Sequence, residues 1–308
     1  PFATLILSDL GANVIKVEKP LGDDSRNFGP FIRQKSGYFI SLNRGKKSIV
    51  LDLKNKKDKD IFKKLLSKVD ILIDNFRPGT LEKLGFTWIY LKKNFPKLIH
   101  SKISGFGESG PYKDLPAYDI IVQAMGGIMS VTGKNRNDFI RVGSSIGDIV
   151  ASLFCVIGIL SQLIWRDKSK KGSKLDLSML DCQVAILENA IARFSIDKKI
   201  PHPVGNDHPS ISPFGVFKSK DGPIAIAAGN DKIFQKMCYL IKDHKMSKDD
   251  LFIDNQSRNK NLKLLKSRME LKLKRHTSKY WIKLFRKNKI PCSKINNIED
   301  ILKDPQVK

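Results

Sequence analysis

Short apolar runs alternate with amphipathic stretches over the first hundred residues. Runs rich in Val, Ile and Leu predict strands, and apolar residues at helical spacing predict helices between them. The predicted strands are residues 13–18, 48–53, 70–76 and 98–104, and the predicted helices are residues 2–10, 57–69 and 88–94. Alternation of this kind indicates an α/β fold with a Rossmann-like parallel sheet and right-handed crossovers, whose ligand lies at the carboxyl ends of the strands.

The pattern changes near residue 200. Three prolines and two histidines lie between Pro201 and Pro209, which predicts a linker or an active-site loop. Residues 214–228 then predict a β-hairpin with its turn at Asp221-Gly222, and lysine-rich helices follow. We therefore expect a large domain of residues 1–199 and a smaller α+β domain of residues 200–308.

One apolar run, residues 146–165, is long enough to cross a membrane. Polar residues interrupt the run, and a charged pair follows it at once: Asp148, Ser152, Ser161 and Gln162, then Arg166 and Asp167. We therefore predict a buried helix, with no membrane partner.

The formal net charge of +25 raises the question of a nucleic-acid partner. The lysines, however, are spread over nearly the whole chain, and no zinc-finger spacing or RNA-binding aromatic signature accompanies them. We expect no nucleic-acid partner. A basic binding scaffold stays a distant alternative.

The cysteines and histidines predict neither disulfides nor a metal site. The four cysteines lie far apart in the sequence and form no Cys-x-x-Cys pair, which favours reduced thiols in a cytoplasmic protein. His202 and His208 have no third ligand nearby, so zinc is not expected.

A glycine motif at residues 105–110 spells the dinucleotide-binding pattern G-x-G-x-x-G. That pattern requires a helix immediately after the loop, whereas here Pro111 and Pro116 follow. A nicotinamide site is not expected. Basic residues do follow the predicted strands, among them Lys19, Lys54 and Arg77, which indicates a phosphate-bearing ligand.

Asp148 follows Gly147 and opens the long apolar run. The simplest interpretation is a carboxylate that caps a buried helix. The alternative is a nucleophile for an activated acyl group, because Gly143 and Gly147 allow a ligand or backbone to come close. The residues alone leave both interpretations open.

Eight stretches, in order along the chain, resemble the family III CoA-transferases, a family of the CaiB/BaiF type whose fold is shared with the α-methylacyl-CoA racemases. They are residues 1–18, 75–79 (NFRPG), 84–86 (LGF), 104–107 (SGFG), 118–127 (YDIIVQAMGG), 147–148 (GD), 205–211 (GNDHPSI) and 290–297 (IPCSKINN). Residues 110–114 and 124–129 are most similar to enzymes that act on dicarboxylates such as succinate.

The resemblance implies that Asp148 attacks an acyl-CoA thioester and passes through a mixed anhydride to an aspartyl-CoA thioester. It also implies glycine N–H groups that stabilise the oxyanion, and a helix N-terminus that keeps Asp148 ionised. An acceptor carboxylic acid then takes the CoA. The CoA thioester is thus a substrate, and no permanently bound cofactor is expected.

The resemblance also assigns a CoA site. The matching positions are Lys19, Leu51, Lys54, Asn75, Phe76, Arg77, Lys83 and Leu84 for the nucleotide and pantetheine, and Tyr118 and Asp119 beside the thioester. Racemases of this fold place a histidine where this chain has Tyr118, and a phenol is a poor proton shuttle at neutral pH. Transfer is therefore favoured, with α-methylacyl-CoA racemisation as the alternative.

The family further implies an interlaced, ring-like homodimer. It also implies a strand and a glutamine-bearing loop before Pro1, and a C-terminal segment that returns to the first domain. Neither segment is found in the sequence, so we expect the chain to be a fragment of a longer product.

Overall fold

The computed structural model describes all residues from Pro1 to Lys308. Contacts divide them into two compact units, the first of residues 1–132 and 139–201, the second of residues 133–138 and 202–308. Residues 133–138 thus pack with the second unit, although they lie within the stretch predicted as the large domain. The division into a large domain of residues 1–199 and a smaller one of residues 200–308 stays a prediction.

The first unit is built of helices and mostly parallel strands. Its strands are β1 (Ile15–Glu18), β2 (Phe31–Ile32), β3 (Lys35–Ser36), β4 (Lys47–Val50), β5 (Ile71–Asp74), β6 (Ile99–Ser104) and β7 (Ser173–Ser178). Its helices are α1 (Phe2–Asp9), α2 (Gly37–Asn43), α3 (Lys56–Leu66), α4 (Thr80–Lys83), α5 (Trp88–Asn94), α6 (Asp119–Met125), α7 (Ile128–Val131), α8 (Ile146–Ser169), α9 (Met179–Ala185) and α10 (Glu188–Asp197).

The parallel strands form two ladders. β1 pairs with β4, and β6 lies between β5 and β7. β2 and β3 form a small antiparallel hairpin apart from both. The predicted α/β class is confirmed, and each predicted strand is present, with ends that differ from the prediction by at most three residues.

Local chemistry explains where the early helices begin. Asn55 accepts a hydrogen bond from Lys57 N–H at the start of α3, and Thr87 accepts one from Tyr90 N–H at the start of α5. Side-chain caps of this kind satisfy amide groups that the first turn leaves unpaired. α3 buries Phe62 and Leu66 in an apolar core that also contains Leu81 of α4 and Leu91 of α5.

The long apolar run forms α8, which has the length and composition of a membrane-spanning helix. One of its faces nevertheless packs in the core of the first unit. The core residues on that face are Val150, Ala151, Cys155, Val156 and Ile159. α8 is therefore a core helix, as predicted.

The second unit packs helices on an antiparallel sheet. The sheet order is β10 (Cys292–Lys294), β9 (Pro223–Ala227) and β8 (Phe214–Lys218), and the helices are α11 (Asp231–Leu240), α12 (Asn255–Lys260), α13 (Leu262–Leu273), α14 (Ser278–Lys287) and α15 (Ile298–Lys303). The predicted hairpin is formed by β8 and β9. Alternating residues of both strands enter a core that includes Phe217, Ile224 and Trp281.

Candidate active site

Asp148 lies in the first turn of α8, as its third residue. The helix N-cap is Ser145, which makes no side-chain capping bond. Interpretation of Asp148 as the cap is therefore wrong. Asp148 keeps contact with solvent, although neighbouring atoms withdraw part of its carboxylate from water, and no protein group donates a hydrogen bond to that carboxylate. A carboxylate without a structural hydrogen bond is available for chemistry.

Asp119 joins the start of α6 to the turn that carries Asp148. Its Oδ1 accepts a hydrogen bond from Gly147 N–H at 2.9 Å, and its Oδ2 accepts one from Gln123 Nε2 at 2.8 Å. A Cβ at position 147 would lie 3.1 Å from Asp119 Oδ1, so the glycine lets the carboxylate come this close. The contact brings the first turn of α6, which carries Asp119, next to the first turn of α8, which carries Asp148.

Gln123 and Arg141 complete the cluster, and sequence reasoning missed both. Gln123 is fully buried, and its Oε1 accepts a hydrogen bond from Val142 N–H at 2.8 Å. The guanidinium of Arg141 is half-exposed and lies 3.8 Å from Asp119 Oδ2. No sequence pattern marks either residue as part of the site, because their positions depend on the packing of α6 against α8.

The surroundings raise the pKa of Asp148. Removal from water is the main cause, and the nearby Asp119 carboxylate adds to it. The direction is opposite to the one expected from the helix N-terminus alone. Because the side chain keeps contact with solvent, screening weakens both effects.

The hydrogen bond to Asp119 also corrects an expectation about the oxyanion. Gly147 N–H points to the Asp119 carboxylate, so it cannot donate to a developing oxyanion while this bond is intact. Its role in this arrangement is to fix the turn before Asp148.

The residues predicted to bind CoA fall into several places. Leu51 and Leu84 share one apolar core, with Leu51 buried and Leu84 partly buried. Lys54 is exposed just beyond β4. Lys19 is exposed after β1, where its Nζ lies 2.6 Å from Asp24 Oδ1. An anionic ligand would have to compete with that carboxylate for Lys19.

The remaining predicted nucleotide contacts lie in the segment from residue 75 to residue 84, between β5 and the end of α4. Asn75, Phe76, Arg77 and Lys83 are all exposed. Gly79 has a φ of 81°, a conformation that glycine adopts without strain, and it is the N-cap of α4. The segment thus presents two cations and an aromatic ring to solvent.

Tyr118 precedes α6 and is 78% exposed. The structure therefore joins Asp119 with Asp148 through Gly147, and it joins Leu51 with Leu84 through an apolar core. The structure contains no group of three or more His, Cys, Asp or Glu side chains that could hold a metal ion.

A further feature missed from the sequence is Glu18, the last residue of β1. Its carboxylate is buried and receives two bonds from Arg26, with Nε and Nη2 each at 2.8 Å. Ser48 Oγ donates a third at 2.6 Å. The Arg26 hydrogen bond is the main reason that the pKa of Glu18 falls to about 2. The contacts hold the loop that follows Lys19.

Comparison with known proteins gives a consistent result. The family model described as CoA-transferase family III matches residues 1–308. The chain is 41% identical over 308 residues to the acetyl-CoA:oxalate CoA-transferase of Acetobacter aceti, covering 99% of this chain and 79% of that protein. It is 37% identical over 315 residues to the human succinyl-CoA:glutarate CoA-transferase, covering 100% of this chain and 70% of that protein.

A solved structure agrees with the sequence relatives. The crystal structure of a CAIB/BAIF family protein from Brucella suis matches with a TM-score of 0.88 and 36% identity, over 100% of this chain and 82% of that one.

Proposed function

Since the chain belongs to the family III CoA-transferases, we propose that Asp148 is the nucleophile that moves CoA from an acyl-CoA to a free carboxylic acid. The observation that carries the proposal is its geometry. Asp148 is a carboxylate without a hydrogen-bond partner, on a helical turn that Asp119 holds through Gly147 N–H, and the buried Gln123 in turn holds Asp119. Such pre-organisation is what a covalent catalyst requires.

The first half of the reaction releases the donor acid. A carboxylate oxygen of Asp148 attacks the thioester carbonyl, the C–S bond breaks, and CoA leaves as a thiolate. The product is a mixed anhydride between Asp148 and the acyl group. The thiolate then attacks the Asp148 carbonyl, the acyl carboxylate leaves, and an aspartyl-CoA thioester remains.

The second half repeats these steps in reverse with the acceptor. The acceptor carboxylate attacks the aspartyl-CoA carbonyl and expels the thiolate, which forms a new anhydride. The thiolate then attacks the acceptor carbonyl, so that acyl-CoA leaves and the Asp148 carboxylate is regenerated. No proton is transferred in any step, so the reaction needs no general acid.

We propose that the exposed basic segments bind the CoA moiety. Cations suit its phosphates, and Phe76 offers an exposed ring face. The residues assigned to this role are Lys19, Leu51, Lys54, Asn75, Phe76, Arg77, Lys83 and Leu84, with Tyr118 and Asp119 at the thioester end.

We further propose succinyl-CoA as the donor and a dicarboxylic acid as the acceptor. The names of the relatives pair acetyl-CoA with oxalate and succinyl-CoA with glutarate. Arg141 brings a half-exposed positive charge to the Asp119 and Asp148 cluster. It is the candidate partner for the second carboxylate of the substrate, because a guanidinium binds carboxylates bidentately.

CoA exchange from succinyl-CoA to glutarate, and to butyrate as a monocarboxylate, tests these substrates. The chain should prefer glutarate, and Arg141→Ala should raise the glutarate KM about tenfold or more, the cost of a lost charge-assisted contact. Arg136→Ala is the matched control, since Arg136 is an exposed arginine of the second unit. A glutarate KM in Arg141→Ala that equals the one in Arg136→Ala would exclude Arg141 from the site.

We also propose a homodimer in a reducing, cytoplasmic compartment. All four cysteines are free, which suits such a compartment. α8 exposes an apolar stripe of Leu153, Ile157, Leu160 and Ile164, and a second copy of the chain is the proposed cover. The proposal includes neither a nucleic-acid nor a membrane partner.

A further inference from the structure

The central strand β6 has a sequence that its position does not predict. Its six residues, Ile99 to Ser104, are all buried, and they include His100, Ser101 and Lys102. Strands in the middle of a parallel sheet are usually continuous apolar runs. A buried charge costs free energy unless it is paired. Local rules broken in this way indicate a functional requirement.

Two polar residues of β6, His100 and Lys102, belong to a row of ionisable side chains across the sheet. Lys102 is paired in register with Asp74 at the end of β5 and with Asp176 in β7. His100 lies two residues before Lys102 and therefore on the same face. Its Nε2 is 2.7 Å from Asp74 Oδ2, while its Nδ1 is buried without a partner. Asp74, His100, Lys102 and Asp176 are called the ionisable layer below.

The ionisable layer holds both ends of the segment from residue 75 to residue 84. At its start, Asp74 Oδ1 accepts a hydrogen bond from Phe76 N–H at 3.1 Å. Near its end, Lys102 Nζ lies 3.4 Å from Oε1 of Glu82, in α4. The exposed Arg77 lies between these two anchors in the sequence, and the exposed Lys83 directly follows the second.

Lys102 also holds the loop on the other side of β6. Its Nζ donates to Glu108 Oε1 at 2.9 Å, and Glu108 N–H donates to Asp176 Oδ2 at 2.9 Å. In the same loop, a Cβ at Gly105 would lie 2.3 Å from the Cβ of Ala117. The loop is therefore packed against the residue that precedes the Tyr118-Asp119 pair.

Lys102 keeps its charge in this environment. Burial by itself would lower the pKa of its ammonium, but Glu108, and then Glu82 and Asp74, outweigh burial and raise it. A well-packed apolar side chain often replaces a buried ion pair without loss of stability. Stability alone therefore does not account for a lysine at this position.

We propose that Lys102, acting through Glu82, is a positioning residue for the nucleotide half of CoA. It fixes the segment that carries Arg77 and Lys83, while its bond to Glu108 ties that segment to the loop before Asp119. The inference rests on the proposed function, because it assigns a role to the segment that the proposal places against CoA. A group displaced by an ångström is enough to weaken a site of this kind.

The test variant is Glu82→Gln, which breaks one contact of a partly exposed residue and leaves Lys102 paired with Glu108. We expect the KM for succinyl-CoA to rise about tenfold, as for a displaced binding group, while kcat stays within about twofold. Affinity for adenosine 3′,5′-bisphosphate, measured calorimetrically, should fall in parallel. The glutarate KM should not change.

Two further variants separate positioning from general damage. Glu299→Gln also removes a carboxylate from an ion pair, the exposed one with Lys303, and should behave as wild type. Lys102→Met combined with Glu82→Gln should cost no more in KM than Lys102→Met alone, because both changes act through the same contact.

An unchanged succinyl-CoA KM and bisphosphate affinity in Glu82→Gln would overturn the inference, as would a loss confined to kcat. Strict additivity in the double variant would also overturn it. Failure of the proposed function is a different result, since the wild-type chain would then exchange no CoA between succinyl-CoA and glutarate.

Discussion

At the scale of single residues, the candidate site consists of two carboxylates that are kept close. Asp119 accepts hydrogen bonds from Gly147 and Gln123, and so remains an acceptor with its charge partly compensated. Asp148 has no such bond, and its pKa is raised by burial and by Asp119. The Asp119 carboxylate thus has a structural role, and the Asp148 carboxylate is free to react.

The electrostatic link predicts a pH effect for Asp119→Asn. The acid limb of kcat/KM reports protonation of the free nucleophile. Since Asp119 raises the pKa of Asp148, removal of its charge should move that limb to lower pH. Activity at the plateau should fall by about one to two orders of magnitude, because the turn before Asp148 loses an anchor.

The matched control is Asp60→Asn, which removes an exposed carboxylate paired with Lys63 on α3. Its limb should coincide with that of the wild type. A limb that stays in place or moves to higher pH in Asp119→Asn would mean that the two carboxylates do not interact.

At the scale of secondary-structure elements, the sequence predicts where helices and strands lie better than it predicts which elements pack together. Periodicity locates α5 and the apolar helix α8, because caps and apolar spacing are local properties. The role of Gln123 depends instead on α6 packing against α8, which no local pattern encodes. In β6, burial of Lys102 contradicts its local preference, and its ion pairs with Glu82 and Glu108 form only once the chain has folded.

The site itself was predicted unevenly for the same reason. The neighbouring glycines and the family resemblance both indicate Asp148. Its position before the apolar run, however, suggests an N-cap, whereas the N-cap is Ser145. The sequence also suggests free lysines at the strand ends, whereas Lys19 is paired with Asp24. Contacts made by long, exposed side chains cannot be read from sequence spacing.

The end of β1 gives a prediction about stability. The pKa of Glu18 falls from its ordinary 4.5 to about 2, chiefly through the hydrogen bond from Arg26. A lowered carboxyl pKa stabilises the fold above pH 4.5, and this contribution is lost as the pH falls toward 2. Glu18→Gln should therefore lower the free energy of unfolding at pH 7 by about 2 kcal/mol, a figure reduced for the half-exposed Arg26.

Urea unfolding between pH 7 and pH 3 measures this effect. The difference between wild type and Glu18→Gln should shrink as the pH falls. Glu299→Gln, whose ion pair is exposed, should differ from wild type by less than about 0.5 kcal/mol throughout. A gap that is constant with pH would show that the Glu18 charge contributes nothing.

At the scale of the whole molecule, each unit has its own core, and the first unit exposes an apolar helix face. The core of the second unit is closed around residues such as Phe217 and Phe285. In the first unit, α8 buries one face and leaves Ile157 60% exposed and Ile164 64% exposed. Apolar surface of this extent on one helix is typical of an interface.

We therefore predict that Ile157→Glu dissociates the proposed homodimer. A charge in the centre of an apolar interface should raise the dimer dissociation constant about a hundredfold or more. Light scattering after size exclusion measures the mass directly. Leu271→Glu, at an equally exposed leucine of the second unit, should leave the mass unchanged. A wild-type chain that is monomeric at all concentrations would refute the dimer.

The most direct test of the central claim is the intact mass of the chain after incubation with succinyl-CoA and no acceptor acid. The proposed mechanism predicts a species heavier by CoA less one water, located by peptide mapping at Asp148 and discharged by glutarate. Asp148→Asn should form no such species and should lose about four orders of magnitude in turnover. Near-normal exchange by Asp148→Asn, or a CoA adduct on another residue, would contradict the assignment of Asp148 as the nucleophile.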